Sequence, residues 1–78
     1  MADESKLTAR NAYVAMFLFL EKCWKQTKSE EIGKLLGGMS LLQDGGSADA
    51  AYFHDWMQCV MQVTSGQTSE ADIRLRFI

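Results

Sequence analysis

The sequence predicts a small all-α protein, a bundle of three to four helices. The chain contains no proline, so no residue interrupts a helix from within. Apolar residues recur at the three-and-four spacing of one helix face in three separate segments. Polar or glycine-containing stretches separate these segments, and the 78 residues are enough for one domain, residues 1–78.

The first predicted helix covers residues 8–27. Six apolar residues share one of its faces, and Val14, Leu18 and Phe19 widen that face. The six are Tyr13, Met16, Phe17, Leu20, Cys23 and Trp24. An apolar stripe that goes most of the way round is typical of the central helix of a small bundle.

The second predicted helix covers residues 30–39. Ser29 is placed to cap its first turn, and Glu30 and Glu31 put negative charge at the positive end of the helix dipole. One face of this helix carries the apolar i, i+3, i+4, i+7 pattern, which is formed by Ile32, Leu35, Leu36 and Met39. The pair Gly37-Gly38 weakens the last turn and either ends or tightens the helix there.

The third predicted helix covers residues 50–64, with Ser47 or Asp49 as its cap. It follows a loop, residues 40–47, whose turn signal is Asp44-Gly45-Gly46. Gly66 is a suitable stop after the helix. We expect its apolar stripe to be buried; the stripe consists of Phe53, Trp56, Met57, Val60 and Val63 or Thr64.

The tail, residues 67–78, is ambiguous. Its last six residues alternate apolar and basic side chains, which is typical of a strand. A lone strand in a helical chain could not satisfy its backbone groups, however, and Ser69 to Asp72 reads as a helix start. We therefore predict a short fourth helix or an extended tail packed on the bundle.

Nothing in the sequence indicates catalysis, a cofactor or a metal. His54 is the only histidine, no zinc-binding spacing is present, and no glycine-rich phosphate loop occurs. Cys23 and Cys59 fall in apolar helical stretches, which predicts two reduced core thiols. A disulfide between them would require Cα atoms within about 7 Å. The sequence thus predicts a protein that is not an enzyme.

The sequence also predicts a soluble, cytoplasmic protein without a membrane partner. Its longest apolar run, residues 12–20, is followed at once by Glu21 and Lys22, whereas a membrane-spanning helix needs about 20 apolar residues. The first five residues include two acidic ones, Asp3 and Glu4, and lack the basic region of a signal peptide.

Charge is distributed unevenly along the chain. Residues 30–72 hold seven acidic side chains and one basic one, Lys34, for a net charge of −6, against −2 for the whole chain. An acidic surface attracts basic partners and repels nucleic acid. A normal solvated face explains the same charges equally well. Among the aromatic residues, an exposed ring near the acidic loop would make an anchor for a partner.

Several of these segments together resemble a known family. They are Ala12-Tyr13 through Glu21, the run from Ser29 to Leu42, Asp44-Gly45-Gly46, Ala48-Asp49, Phe53-His54-Asp55-Trp56 and Val60. In this order they resemble the small helical immunity proteins of bacterial contact-dependent growth inhibition systems, over roughly residues 8–63. The tail after Gly66 has no counterpart in the pattern.

The resemblance implies a cytoplasmic antidote that binds the toxic domain of a delivered protein, often a nuclease, and blocks its active site or substrate groove. It supplies no contact residues. Charge and helix phase suggest Trp56 as a structural anchor and five acidic partner-binding candidates. These are Glu30, Glu31, Asp44, Asp49 and Asp55.

Two alternatives remain open at the level of sequence. One is a regulatory or adaptor module that forms a homodimer through surplus apolar surface on the first helix. The other is a nucleic-acid-binding domain that uses a small basic patch around Trp24 and two arginines in the tail. The basic residues are Lys22, Lys25, Lys28, Arg74 and Arg76. The pI near 5.2 is low for a nucleic-acid-binding protein, and the patch contains few basic residues compared with the binding surfaces of such proteins.

Overall fold

The computed structural model describes residues 7–74 and confirms the predicted all-α class. Three helices follow one another along the chain: α1 (Ala9–Thr27), α2 (Glu30–Met39) and α3 (Ala50–Thr64). Within residues 7–74 the only β-type pairing is an isolated antiparallel bridge between Leu41 and Ser47. None of the helices in this range is long and apolar enough to cross a membrane.

Each helix begins at a side-chain cap. The accepting oxygens belong to Thr8, Ser29 and Asp49, at 3.0, 3.3 and 3.1 Å from the backbone nitrogen that donates. Caps of this kind satisfy N–H groups that have no partner inside the first turn. Local sequence signals therefore fix where the helices start.

The loop between α2 and α3 is held by specific polar contacts. The Asp44 carboxylate accepts a hydrogen bond from the Gly46 N–H at 2.9 Å. Gly45 has φ of 90°, a conformation that side chains disfavour. The Arg10 guanidinium donates to the Gly45 carbonyl at 2.9 Å and lies 4.6 Å from the centre of the Phe53 ring. Arg10 thus ties α1, the loop and α3 together.

Ser47 joins this loop to α3 from the inside. It is 3% exposed; its hydroxyl donates to the Asp49 carbonyl and accepts from the Phe53 N–H at 3.1 Å. Both residues predicted as alternative caps therefore bond at the start of α3. Asp49 closes the first turn, and Ser47 holds the second.

The core is small and centres on Tyr13. Among the described residues, three apolar side chains are buried: Tyr13, Leu36 and Met39. The Tyr13 hydroxyl donates to the Met39 carbonyl at 2.6 Å. The edges of Phe53 and Trp56 pack against its ring, with centroid distances of 5.1 and 5.8 Å. One tyrosine therefore links all three helices.

The prediction of a buried α3 stripe is wrong. Phe53, Trp56, Met57 and Val60 are half-buried, whereas Val63 and Thr64 are exposed. Helix lengths explain the difference. At 1.5 Å per residue, the 10 residues of α2 span about 15 Å and the 15 residues of α3 about 22 Å, so the shorter helix leaves part of the longer one uncovered.

The cysteine prediction is corrected in the same region. Both thiols are free, but Cys59 is exposed and Cys23 is half-buried, so neither is fully inside the core. Cys59 lies on the part of α3 that the other helices leave uncovered.

The tail forms one short turn within the described range, the 3₁₀ helix Glu70–Ile73. The Asp72 carboxylate accepts from the Ser69 N–H at 2.7 Å, which closes the turn. Residues 69–74 are exposed, and Ile73 keeps 56% of its surface open, so this part of the tail does not pack on the helices. Residues 75–78 lie outside the described residues.

Tyr13 predicts a loss of stability at alkaline pH. Burial raises the pKa of its phenol above the ordinary value, and a hydrogen bond with Ser47 opposes part of that rise. The unfolded chain releases this proton near pH 10 while the folded chain still holds it, so the free energy of unfolding should fall as pH rises above about 10. Urea unfolding at pH 8, 10 and 11 measures this. An equal alkaline loss in Tyr13→Phe would contradict the assignment to Tyr13.

Candidate protein-binding surface

The five acidic candidates are all exposed, but they do not form one cluster. Glu30 and Glu31 lie in the first turn of α2. The Asp49 N–H bonds to the Gly38 carbonyl at 2.9 Å, which places Asp49 at the opposite end of that helix. Eight residues of helix separate Glu30 from Gly38, a distance of about 12 Å along the axis.

Two of the five have structural roles as well as charge. Asp44 holds its turn through Gly46, and Asp49 caps α3 through the Ala51 N–H. Glu30, Glu31 and Asp55 make no side-chain hydrogen bond or ion pair within residues 7–74. Their carboxylates are the ones that a partner could engage without disturbing the fold.

Asp55 differs from the other four because it borders an apolar depression. This depression lies between all three helices and encloses about 240 Å³. Met16 and Leu20 of α1, Leu35 of α2 and Tyr52 of α3 contribute to its walls. Glu31 lies one turn before Leu35, on the same edge of α2, so a second carboxylate flanks the same end.

A second apolar depression continues the first along α1 and α3. It encloses about 450 Å³, and its walls include Ala9 and Ala12 of α1 and Val60 and Val63 of α3. Trp56 and Cys59 line both depressions and join them. We call the combined feature the α1–α3 groove.

The indole of Trp56 forms part of the floor where the two depressions meet. Its Nε1 is buried and has no acceptor within the described part of the chain. A buried donor without a partner costs roughly 1–3 kcal/mol. Trp56 thus packs against the Tyr13 ring and leaves its indole N–H without an acceptor among the described residues.

The helical spacing of α3 predicts a buried stripe that includes Trp56, Val60 and Val63, and these residues line the groove instead. Periodicity identifies which face is apolar, but it does not show whether another element covers that face. One signal was present in the sequence: the apolar stripe of α1 goes most of the way round. Val14, Leu18 and Phe19 are indeed exposed, by 39, 52 and 64%.

The basic patch is partly engaged inside the chain. Lys25 lies 3.8 Å from Glu21, and the Lys28 ammonium lies 4.3 Å from the centre of the Trp24 ring. In the tail, Arg74 lies 3.9 Å from Glu70. These exposed contacts are weak, but they reduce the charge that the patch presents.

His54 lies on the exposed side of α3, where its ring nitrogen is 3.1 Å from the Gln58 amide. The described residues contain no group of three or more His, Cys, Asp or Glu side chains that could hold a metal ion. Comparisons of the chain with protein-family models, with curated proteins and with solved structures give no match.

Proposed function

We propose that this protein binds a toxin domain and neutralises it, as an immunity protein of a contact-dependent growth inhibition system does. The resemblance of residues 8–63 supports this proposal. The observation that carries it is the exposure of the acidic candidates on α2, on the loop and on α3. Residues 30–72 have a net charge of −6, which suits a basic partner.

The physical mechanism is charge mimicry combined with steric blocking. A nuclease domain holds the phosphates of its substrate in a positively charged groove. Carboxylates at Glu30, Glu31 and Asp55 would occupy positions that phosphates take, and the helices behind them would close the groove to substrate. Complementary charge also raises the rate of encounter, which favours rapid neutralisation.

Binding to a second copy of the chain is the second candidate. The observation that favours it is the exposed apolar side of α1, where Leu18 and Phe19 are uncovered. Sedimentation at micromolar concentration separates the two proposals. A monomer that binds the toxin domain supports neutralisation, whereas a stable dimer without affinity for that domain supports the adaptor role.

A charge-neutralised variant tests the neutralisation proposal. The proposal predicts that the reading frame directly upstream of this gene encodes the toxin domain; that domain is purified, and its affinity for this protein is measured by calorimetry at two salt concentrations. We expect Glu30→Gln, Glu31→Gln and Asp55→Asn together to weaken binding about tenfold or more and to flatten its dependence on salt.

Glu70→Gln is the control, since Glu70 is also acidic but lies in the tail. It should change affinity by less than about twofold, as an exposed charge outside the interface does. Equal affinity of the triple variant and the wild type would contradict a role for these carboxylates. Failure of the wild type to bind would reject the proposed function.

A further inference from the structure

The α1–α3 groove is an extended apolar feature that the fold leaves open among residues 7–74. From Ala9 to Leu20 it follows α1 for about 17 Å, the length of three helical turns. Ala12, in the first turns of α1, lines the same depression as Val60 in the C-terminal half of α3. Leu20, farther along α1, lines the other depression together with Tyr52, which lies in the first turn of α3. The two helices therefore run in opposite directions, and the groove follows both of them.

We propose that this groove receives an amphipathic helix of the toxin domain, with apolar side chains on one face and Lys or Arg beside them. The inference rests on the proposed function and names the place and the chemistry of the contact. The groove adds apolar burial to an interface for which the acidic residues alone would supply mainly steering.

The lining determines that the occupant is a helix. Apart from Asp55 and Thr64 the walls are apolar side chains, and the described residues offer no strand edge to which an extended segment could bond. A segment that enters such a groove must satisfy its own backbone N–H and C=O groups, and a helix does this internally. Three turns of about 11 residues would fill the length of the groove.

The charges around the groove determine that the occupant is basic. Asp55 lines the end near Leu35, and Glu31 flanks the same end. No Lys or Arg lines either depression. An apolar helix face with Lys or Arg at its border would pair with these two carboxylates, whereas acidic residues there would be repelled.

A second copy of the chain is a poorer occupant. A symmetric contact would bring together two copies whose residues 30–72 each carry a net charge of −6, and like charges across an interface are unfavourable. A contact between the groove of one copy and the outer face of α1 of the next would not close, and it would produce chains of indefinite length.

Substitution at Cys59 tests the proposal, because this exposed residue lies where both depressions meet. Cys59→Lys fills the groove and adds a charge that repels a basic helix. We expect its affinity for the purified toxin domain to fall about 30-fold or more. Cys59→Glu fills the same space with a favourable charge, and we expect a smaller loss than for Cys59→Lys.

Met61→Lys is the matched control, since Met61 is 63% exposed and lies outside the groove on the same helix. We expect its affinity to stay within about threefold of the wild type. Thermal unfolding of each variant alone checks that it remains folded.

The affinities of the wild type and of the two Cys59 variants distinguish four cases. Wild-type affinity in folded Cys59→Lys would overturn the groove inference while the proposed function stands. Equal losses in Cys59→Lys and Cys59→Glu would overturn the basic character of the occupant. A wild-type dimer that Cys59→Lys dissociates would make the occupant a second copy. Absence of toxin binding by the wild type would overturn the function and this inference together.

Discussion

Replacing Tyr13 by alanine is expected to unfold the protein. Tyr13 is the largest fully buried side chain among the described residues, and it contacts both Phe53 and Trp56. Truncating a buried aromatic side chain costs about 3–5 kcal/mol. A chain of this size has only a few kcal/mol of stability to lose. Circular dichroism and urea unfolding of Tyr13→Ala measure the effect.

Phe19→Ala is the matched control on the same helix, because Phe19 is 64% exposed. It should change the free energy of unfolding by less than about 0.5 kcal/mol. Similar losses for the two variants would contradict a core centred on Tyr13.

Tyr13→Phe separates the hydroxyl from the ring. It leaves the Met39 carbonyl, near the end of α2, without the hydrogen bond from Tyr13. We expect a loss of about 1–3 kcal/mol, the cost of an unsatisfied buried acceptor. Tyr52→Phe serves as the comparison, since the Tyr52 hydroxyl makes no hydrogen bond within residues 7–74.

Gly38→Ala is expected to destabilise the protein by about 2 kcal/mol. A Cβ at this position would overlap the Tyr52 ring, whose Cδ2 would be 2.9 Å away. Either the ring or the contact between α2 and α3 must shift. The Gly38 carbonyl also accepts the Asp49 N–H, so a shift of the backbone would disturb the start of α3. Thermal unfolding gives the change.

Gly37→Ala is the control one residue earlier, where a Cβ meets nothing within 4 Å. It should stabilise α2 by about 0.5–1 kcal/mol, because alanine favours a helix over glycine. In a Tyr52→Ala background, where the ring is absent, Gly38→Ala should no longer lower the free energy of unfolding. A persistent cost there would show that the overlap with Tyr52 is not the cause.

Local signals explain why the helices could be predicted from sequence. Ser29 and Asp49 cap turns through bonds that span two or three residues, and Gly66 follows α3 with φ of 83°. Such contacts depend only on neighbours along the chain, so a single sequence contains them.

The burial of α3 could not be predicted in the same way. Its stripe has helical spacing, but burial depends on how far α2 reaches across it, which is a property of the assembled fold. Tyr13 and Met16 share one apolar face of α1, yet Tyr13 is buried and Met16 is only half-buried.

The same distinction applies to the candidate surface: some of its features follow from the sequence alone, and others depend on contacts between helices. Exposure of the five acidic residues follows from charge and helix phase, and the structure shows each of them exposed. Their separation into two ends of α2, and the position of Asp55 beside the groove, depend on contacts between helices. Sequence alone therefore suggested an acidic surface but not the apolar channel beside it.

If the proposed function holds, the reading frame directly upstream encodes the toxin domain, and the growth of bacteria that express that domain tests neutralisation most directly. Co-expression of this protein is expected to restore growth, and its Cys59→Lys variant should protect less. Continued killing in cells that accumulate the folded wild-type protein would contradict the account.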